Sequence, residues 1–267
     1  MLLAVLQANA AVLDTDANLA AIDDAARRAA AAGAALLLTP ELFPVGYAPL
    51  RIDAEFDYSA LPELRQRLAA TARKHGIGLV YSLPARDDSG AHRITATLLD
   101  RNGATLLDYG KVHLFGADER KAFSPASEAP AVVDFEGLRA SLLICYDVEF
   151  PETARAAAVR GAELLLVPTA LSAGFDAVPQ VLLRARALES QLTVAYANHS
   201  GHEDGCDFAG GSVVAGPDGA LLAAAGEAPA VLFAEVSGEA ARSAREKVPY
   251  LRERRPELYA EWEAGAP

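Results

Sequence analysis

One pattern occurs twice and limits what this chain can become. GAALLLTPE at 33–41 and GAELLLVPT at 161–169 share the form G-A-x-L-L-L-x-P. Consecutive leucines leave no polar side for water, so each run reads as a strand buried on both faces, as in a parallel sheet covered by helices. Each run also follows an Ala- and Arg-bearing helical pattern. The first spans 16–32, with Asp14 or Asp16 as cap and Gly33 as stop; the second spans 152–160. Two similar α/β halves are the expectation. The alternative is convergence, because any glycine-stopped helix feeding a buried strand takes this form.

The remaining elements fit such halves. Residues 2–8 form a short apolar strand, 62–75 a helix stopped by Gly76, and 77–83 a strand. Asn102-Gly103 joins strands at 94–99 and 105–109, a strong hairpin signal. Glu136-Gly137 joins 131–135 to 138–144, and Gly216-Pro217-Asp218-Gly219 joins 211–215 to 221–225. A strand at 163–167, a helix at 178–191 and a strand at 192–197 complete the series. No low-complexity linker divides the 267 residues, and an apolar fraction of 52 % is ample for one large core. From about 238 the chain becomes charged and dense in Arg and Glu, which reads as an arm.

Charge narrows the partners. A net charge of −12 repels duplex nucleic acid and anionic lipid, so neither is expected. The opening residues lack the basic start of a signal peptide, and no apolar run approaches the ~20 residues needed to span a bilayer. Cys145 and Cys206 make no disulfide framework. A reducing cytoplasm is the expected setting.

Three strands end on residues with chemistry: 34–39 leads to Glu41, 104–109 to Lys111, and 138–144 to Cys145. Sites in α/β sheets gather beyond the carboxyl ends of strands. Taken singly, each has a bland reading as loop carboxylate, surface lysine or core thiol. Together they supply a base, a cation and a nucleophile, the requirements of acyl transfer through a thioester. Asp147, Glu149 and Glu152 follow Cys145 closely and would by themselves disfavour its thiolate, so activation must come from elsewhere. His199, His202 and Cys206 give H-x-x-H-x-x-x-C in a glycine-rich loop, a loose metal signal that is set aside. A Cys–His pair would need His113 or His199, and spacing selects neither. No metal and no cofactor are expected.

The motifs PELFPVGY at 40–47, YGKVHLFG at 109–116 and LLICYDVEFPE at 142–152 resemble those of the nitrilase superfamily of carbon–nitrogen hydrolases. GAELLLVPTA, RALESQLTVAYAN and GGSVVAGPDG follow in the family's order. The resemblance runs from about residue 2 to residue 236. It implies a four-layer α-β-β-α sandwich at 1–237 and a homodimer, and the ending PYLRERRPELY resembles amidase-type tails; the charge-rich stretch at 238–267 is itself expected as an arm that packs on a neighbour, with a solvated tail as the alternative. It implies Glu41 as base, Lys111 as cation, Cys145 as nucleophile and Glu119 as a second glutamate that positions substrate or Lys111. Pocket residues are expected at Tyr47, Phe115, Tyr146, Ala170 and Phe175.

Cys145-Tyr146-Asp147 resembles the amidase and carbamoyl-amidase branches, where true nitrilases carry Cys-Trp-Glu. A small non-peptide amide is the expected substrate, with N-carbamoyl amidase and nitrilase as alternatives. An idle binding or scaffold relative is the alternative of another class. Two positions depart from the family pattern: Arg93-Ile94 replaces Tyr-Asn, and His199 replaces an arginine after Asn198.

Overall fold

In the computed structural model, residues 1–87 and 89–265 are described; Ala266 and Pro267 of the expected arm lie outside them. The strands along the chain are β1 (Leu2–Gln7), β2 (Leu36–Leu38), β3 (Gly78–Arg86), β4 (His92–Leu99), β5 (Thr105–Gly110), β6 (Val132–Phe135) and β7 (Leu138–Leu142). They continue as β8 (Leu164–Pro168), β9 (Thr193–Ala197), β10 (Ser200–Glu203), β11 (Cys206–Ala209), β12 (Val213–Ala215), β13 (Leu221–Ala224) and β14 (Ala230–Glu235). One sheet has the order β14-β1-β2-β3-β4-β5 and the other β6-β7-β8-β9-β12-β13, while β10 and β11 pair separately.

Both sheets follow one plan. Three parallel strands, β1-β2-β3 and β7-β8-β9, are flanked by antiparallel strands. The repeated leucine runs are β2 and β8, the middle strands of the two parallel cores, and all six leucines are buried. The sheets face each other, with β1 and β2 against β9 and β3 against β8.

The helices are α1 (Thr15–Ala31), α2 (Pro49–Glu55), α3 (Leu61–His75), α4 (Gly116–Ala122), α5 (Pro151–Val159), α6 (Leu183–Ser190), α7 (Gly238–Lys247), α8 (Tyr250–Glu253) and α9 (Pro256–Ala264). Helices α1 and α3 pack together over the first sheet, and α5 and α6 over the second. The result is the four-layer α-β-β-α sandwich.

Local chemistry explains the boundaries. The Asp14 carboxylate accepts the Ala17 N–H and caps α1, whose Leu19, Ile22, Ala26 and Ala29 face the core. Gly76 ends α3 in the left-handed conformation at φ +62°. Glu136 and Gly137 both take positive φ, as a two-residue type I′ hairpin requires.

Three departures from expectation stand out. The glycine-rich stretch after β9 forms the β10–β11 hairpin. β14 closes the first sheet by pairing with β1, a partner at the other end of the chain. The helix expected at 178–191 opens with a π-type turn at Val178–Leu182 before α6 begins.

The arm divides in two. Its α7 docks on the chain's own body, through Arg242 to Glu163 at 2.6 Å and through Gln191, which donates to the Ala244 and Val248 carbonyls. Beyond it, Tyr250 and Trp262 are exposed. Among the described residues, no helix is long and apolar enough to cross a membrane.

Candidate active site

Glu41, Lys111 and Cys145 lie beyond the carboxyl ends of β2, β5 and β7, and the facing sheets bring them together. All are buried: Glu41 is 0 % exposed, Lys111 1 % and Cys145 6 %. An isolated charge at such depth is prohibitively costly, so the pairings decide what is stable there. The Lys111 ammonium donates to Glu41 Oε1 at 2.8 Å and to Glu119 Oε1 at 2.7 Å. Glu119, on α4, also accepts the Tyr47 hydroxyl at 2.6 Å and, through Oε2, the Phe115 N–H at 2.8 Å. Glu119 is therefore saturated. Glu41 is not: among the described residues its Oε2 is buried without a hydrogen-bond partner, and the Cys145 thiol is its neighbour.

The electrostatics follow from burial and from two carboxylates sharing one cation. Burial raises the Glu41 carboxyl to about 7, with Lys111 opposing and Glu119 adding to the rise. Burial works against the Lys111 charge, yet Glu41 and Glu119 hold its ammonium well above the ordinary lysine range. Burial, then the Glu41 carboxylate, pushes the Cys145 thiol far above its usual value, and Lys111 pulls it down. The resting pair is thus a neutral thiol beside a carboxyl poised near neutrality.

The acids that follow Cys145 serve other purposes. Cys145 opens a 3-10 turn, Cys145–Glu149, at φ +48°, a left-handed conformation unfavourable for a residue with a Cβ. Asp147 holds that turn by accepting the Ile144 N–H at 3.3 Å while its own N–H donates to the Ile144 carbonyl. The same carboxylate accepts the Tyr109 hydroxyl at 3.0 Å, the His113 N–H at 2.8 Å and His113 Nδ1 at 2.9 Å. Residues on either side of Lys111 are thereby tied to the turn bearing Cys145. His113 Nδ1 is held by Asp147 and its ring stacks on Phe150, and among the described residues it makes no hydrogen bond to the Cys145 thiol. Glu149 is half-buried near Arg186, and Glu152 lies in the first turn of α5.

Phe115 packs edge-on against Tyr146 and Phe175, with ring centroids 5.3 and 6.0 Å apart. Tyr47 lies across from them on Glu119, and the Ala170 N–H faces the Cys145 sulfur. A cavity of about 250 Å³ lies on the Tyr47, Phe115 and Glu119 side of this group, lined also by Leu50, Asp118 and Cys206, while Glu41, Lys111 and Cys145 do not line it. A larger one of about 540 Å³ lies between Leu188, Pro217 and α7 and touches none of the catalytic candidates, so chemistry rather than size selects the site.

The metal motif is pulled apart. His199 is buried and engaged at both ring nitrogens, by Glu203 and by the Glu41 carbonyl, whereas His202 pairs with Asp207 at the surface. Among the described residues no group of three or more His, Cys, Asp and Glu side chains is arranged to hold a metal ion. The Arg93-Ile94 departure leaves Lys111 anchored: the Ile94 carbonyl accepts the Lys111 N–H at 2.9 Å, and Arg93 turns outward to Asp87. Sequence reasoning missed the roles of Tyr109 and Glu203, and marked Asp147 and His199 as support positions without their partners. The only signal available was the four-residue spacing of His199 and Glu203.

Comparison with known proteins agrees with this geometry. The model of the carbon-nitrogen hydrolase family matches residues 2–246. The hydrolase in the pqqF 5′ region of Pseudomonas protegens is 39 % identical over 264 residues, covering 97 % of this chain and 90 % of that protein. The 2-oxoglutaramate amidase of Bacillus subtilis is 31 % identical over 230 residues, covering 84 % and 86 %. The solved amidase from Nesterenkonia sp. superposes with a TM-score of 0.92 at 47 % identity, covering 98 % and 96 %. Variants of that amidase carry the acetamide moiety of fluoroacetamide, or acrylamide, on the active-site cysteine, and another binds butyramide. With the family match along nearly the whole chain and the two-sheet sandwich closing around one buried cysteine, this chain belongs to the carbon-nitrogen hydrolase family of the nitrilase superfamily.

Proposed function

We propose that this protein is an amidase that hydrolyses the C–N bond of a small non-peptide amide through a thioester on Cys145. The observation that carries the proposal is Glu41 Oε2, buried beside the thiol with no hydrogen-bond partner among the described residues, while Lys111 holds the other oxygen. Glu41 takes the thiol proton as sulfur attacks the amide carbonyl. Lys111 and the Tyr146 N–H bind the oxyanion, each donor contributing about 3 kcal/mol. The C–N bond then breaks, and Glu41 returns its proton to the leaving ammonia or amine. Water next gives a proton to Glu41 and attacks the thioester. The C–S bond breaks, Glu41 returns its proton to the sulfur, and the product leaves as the carboxylic acid, which ionises in water. Glu119 positions Lys111 and the amide group, and the rings of Phe115, Tyr146 and Phe175 enclose the acyl chain. The butyramide and acrylamide complexes of the Nesterenkonia enzyme support a short, uncharged acyl group.

Ammonia release from matched panels tests this reading. Butyramide and acrylamide should turn over faster than butyronitrile, dicarboxylate monoamides or N-carbamoyl amino acids. A preference for the nitrile or the carbamoyl compounds moves the protein to that branch, and no turnover of any panel member leaves the scaffold reading.

The pH dependence has a definite sign. Glu41 accepts a proton only as carboxylate, and its carboxyl is raised to about 7. The kcat/KM for butyramide should therefore fall about tenfold per pH unit as pH drops below about 7. A profile flat down to the ordinary glutamate range contradicts Glu41 as base.

We also place the protein in the cytoplasm, where Cys145 stays reduced, and propose that the end of the arm seats on a second copy. The exposed Val248, Tyr250 and Trp262 support this surface. Sedimentation equilibrium should give twice the 28.0 kDa chain mass, and Trp262→Ala should weaken that association. A monomer at all concentrations overturns the dimer.

A further inference from the structure

The Glu41 main chain is held in an unusual way. Its N–H donates to the Thr169 carbonyl at the end of β8, at 3.2 Å. Its carbonyl is turned inward to His199 Nε2, at 2.6 Å. The next residue, Leu42, is fully buried at φ +53°, a conformation that residues with a Cβ adopt only when the surroundings enforce it. A carbonyl only accepts, so Nε2 carries a proton. Nδ1 lies 2.7 Å from Glu203 Oε1, and both side chains are 0 % exposed. One further proton lies between them, and the pair is neutral overall, as its depth demands.

Glu203 does more than balance this ring. Its Oε1 accepts the Ala10 N–H at 2.7 Å, and its Oε2 accepts the Tyr47 N–H at 3.1 Å. Tyr47 in turn bonds Glu119 through its hydroxyl. One buried pair therefore reaches the Glu41 main chain on one side and the Tyr47–Glu119–Lys111 chain on the other. Phe43, Tyr47 and Phe208 surround the imidazole with centroids 4.9–6.5 Å away, which leaves it a single orientation.

We infer that His199 and Glu203 are positioning residues that hold the Glu41 carboxylate in register with the Cys145 thiol and Lys111. The inference rests on the reading of Glu41 as proton acceptor, and the test separates the two. Methyl methanethiosulfonate converts a cysteine to its methyl disulfide with loss of the thiol proton and methanesulfinate, without involving an amide. Its rate of reaction at Cys145, resolved from Cys206 by peptide mapping, is measured in the parent, His199→Phe, Glu41→Gln and the double variant.

The expected result is slowing of about tenfold by Glu41→Gln, similar slowing by His199→Phe alone, and less than about twofold further slowing when His199→Phe is added to Glu41→Gln. A purely structural role would slow both backgrounds equally, and that outcome overturns the inference, as does no slowing by His199→Phe in the parent. If Glu41→Gln does not slow the reaction, the base assignment itself fails. Melting curves establish folding, and if His199→Phe does not fold, Glu203→Gln, which keeps the carboxylate's shape, is read in the same way. If neither variant folds, the pair is structural and the inference is wrong.

Discussion

Cys145→Ala should lower amide turnover by at least about 10⁴-fold, because removing the nucleophile of a covalent mechanism removes the route itself and not one increment of it. The fold should survive. Cys145 is small and buried, and loss of one sulfur costs on the order of 1 kcal/mol. The 3-10 turn that carries it is held by Asp147 through Ile144, Tyr109 and His113, none of which needs the thiol. Mass spectrometry supplies the companion measurement: a slowly deacylated amide should leave an acyl group on Cys145 in the parent and on nothing in the variant. Cys206→Ala is the control and should keep kcat/KM within about twofold: its thiol lines the cavity beside Tyr47 and Glu119 but among the described residues hydrogen-bonds only the Asp207 carbonyl, not Glu41 or Lys111. Retention of more than about a hundredth of the activity by Cys145→Ala contradicts the thioester route.

Lys111→Met should reduce both activity and stability. The ammonium is the cation that Glu41 and Glu119 share, at 2.8 and 2.7 Å. Replacing it with an apolar chain of similar length leaves two buried carboxylates facing each other, and breaking such a pair costs about 3–5 kcal/mol. Turnover should drop about 10³-fold through loss of the oxyanion donor and displacement of Glu41.

The sign of the pH dependence distinguishes this from simple loss of packing. Without Lys111, the folded Glu41 carboxyl is raised further above its unfolded value, so the stability it allows is present at low pH and is lost as pH rises through the folded value. The deficit in Tm should therefore be larger near pH 8 than near pH 5. An equal deficit at both indicates that the Lys111 stem, and not its charge, carries the stability.

Several features of the fold are legible in the sequence. The two G-A-x-L-L-L-x-P runs are the middle strands of two matching sheets because an all-leucine strand has only one kind of place to go, a parallel core covered on both faces. Glu41, Lys111 and Cys145 were legible as strand-end residues, and three of the expected pocket residues form one aromatic cluster. Less was visible where partners are distant. The role of β14 depends on β1 at the opposite end of the chain, and no local pattern encodes that pairing.

The acids after Cys145 show the same limit from the other side. Counted along the chain they oppose the thiolate, but in space Asp147 faces Tyr109 and His113 and the thiol faces Glu41 and Lys111. His199 also changed meaning: in the sequence it belonged to a loose metal motif, and in the fold it closes on Glu203 and the Glu41 carbonyl.

By itself the sequence determined the covalent and local terms: which residues are apolar on both faces, where helices stop, and which chemical groups stand at strand ends. Only the tertiary structure decided which of those groups lose water together. Burial and the nearby Glu119 raise Glu41 toward neutrality against the pull of Lys111, the two carboxylates keep Lys111 charged, and all of this depends on distances between residues that the chain itself places far apart.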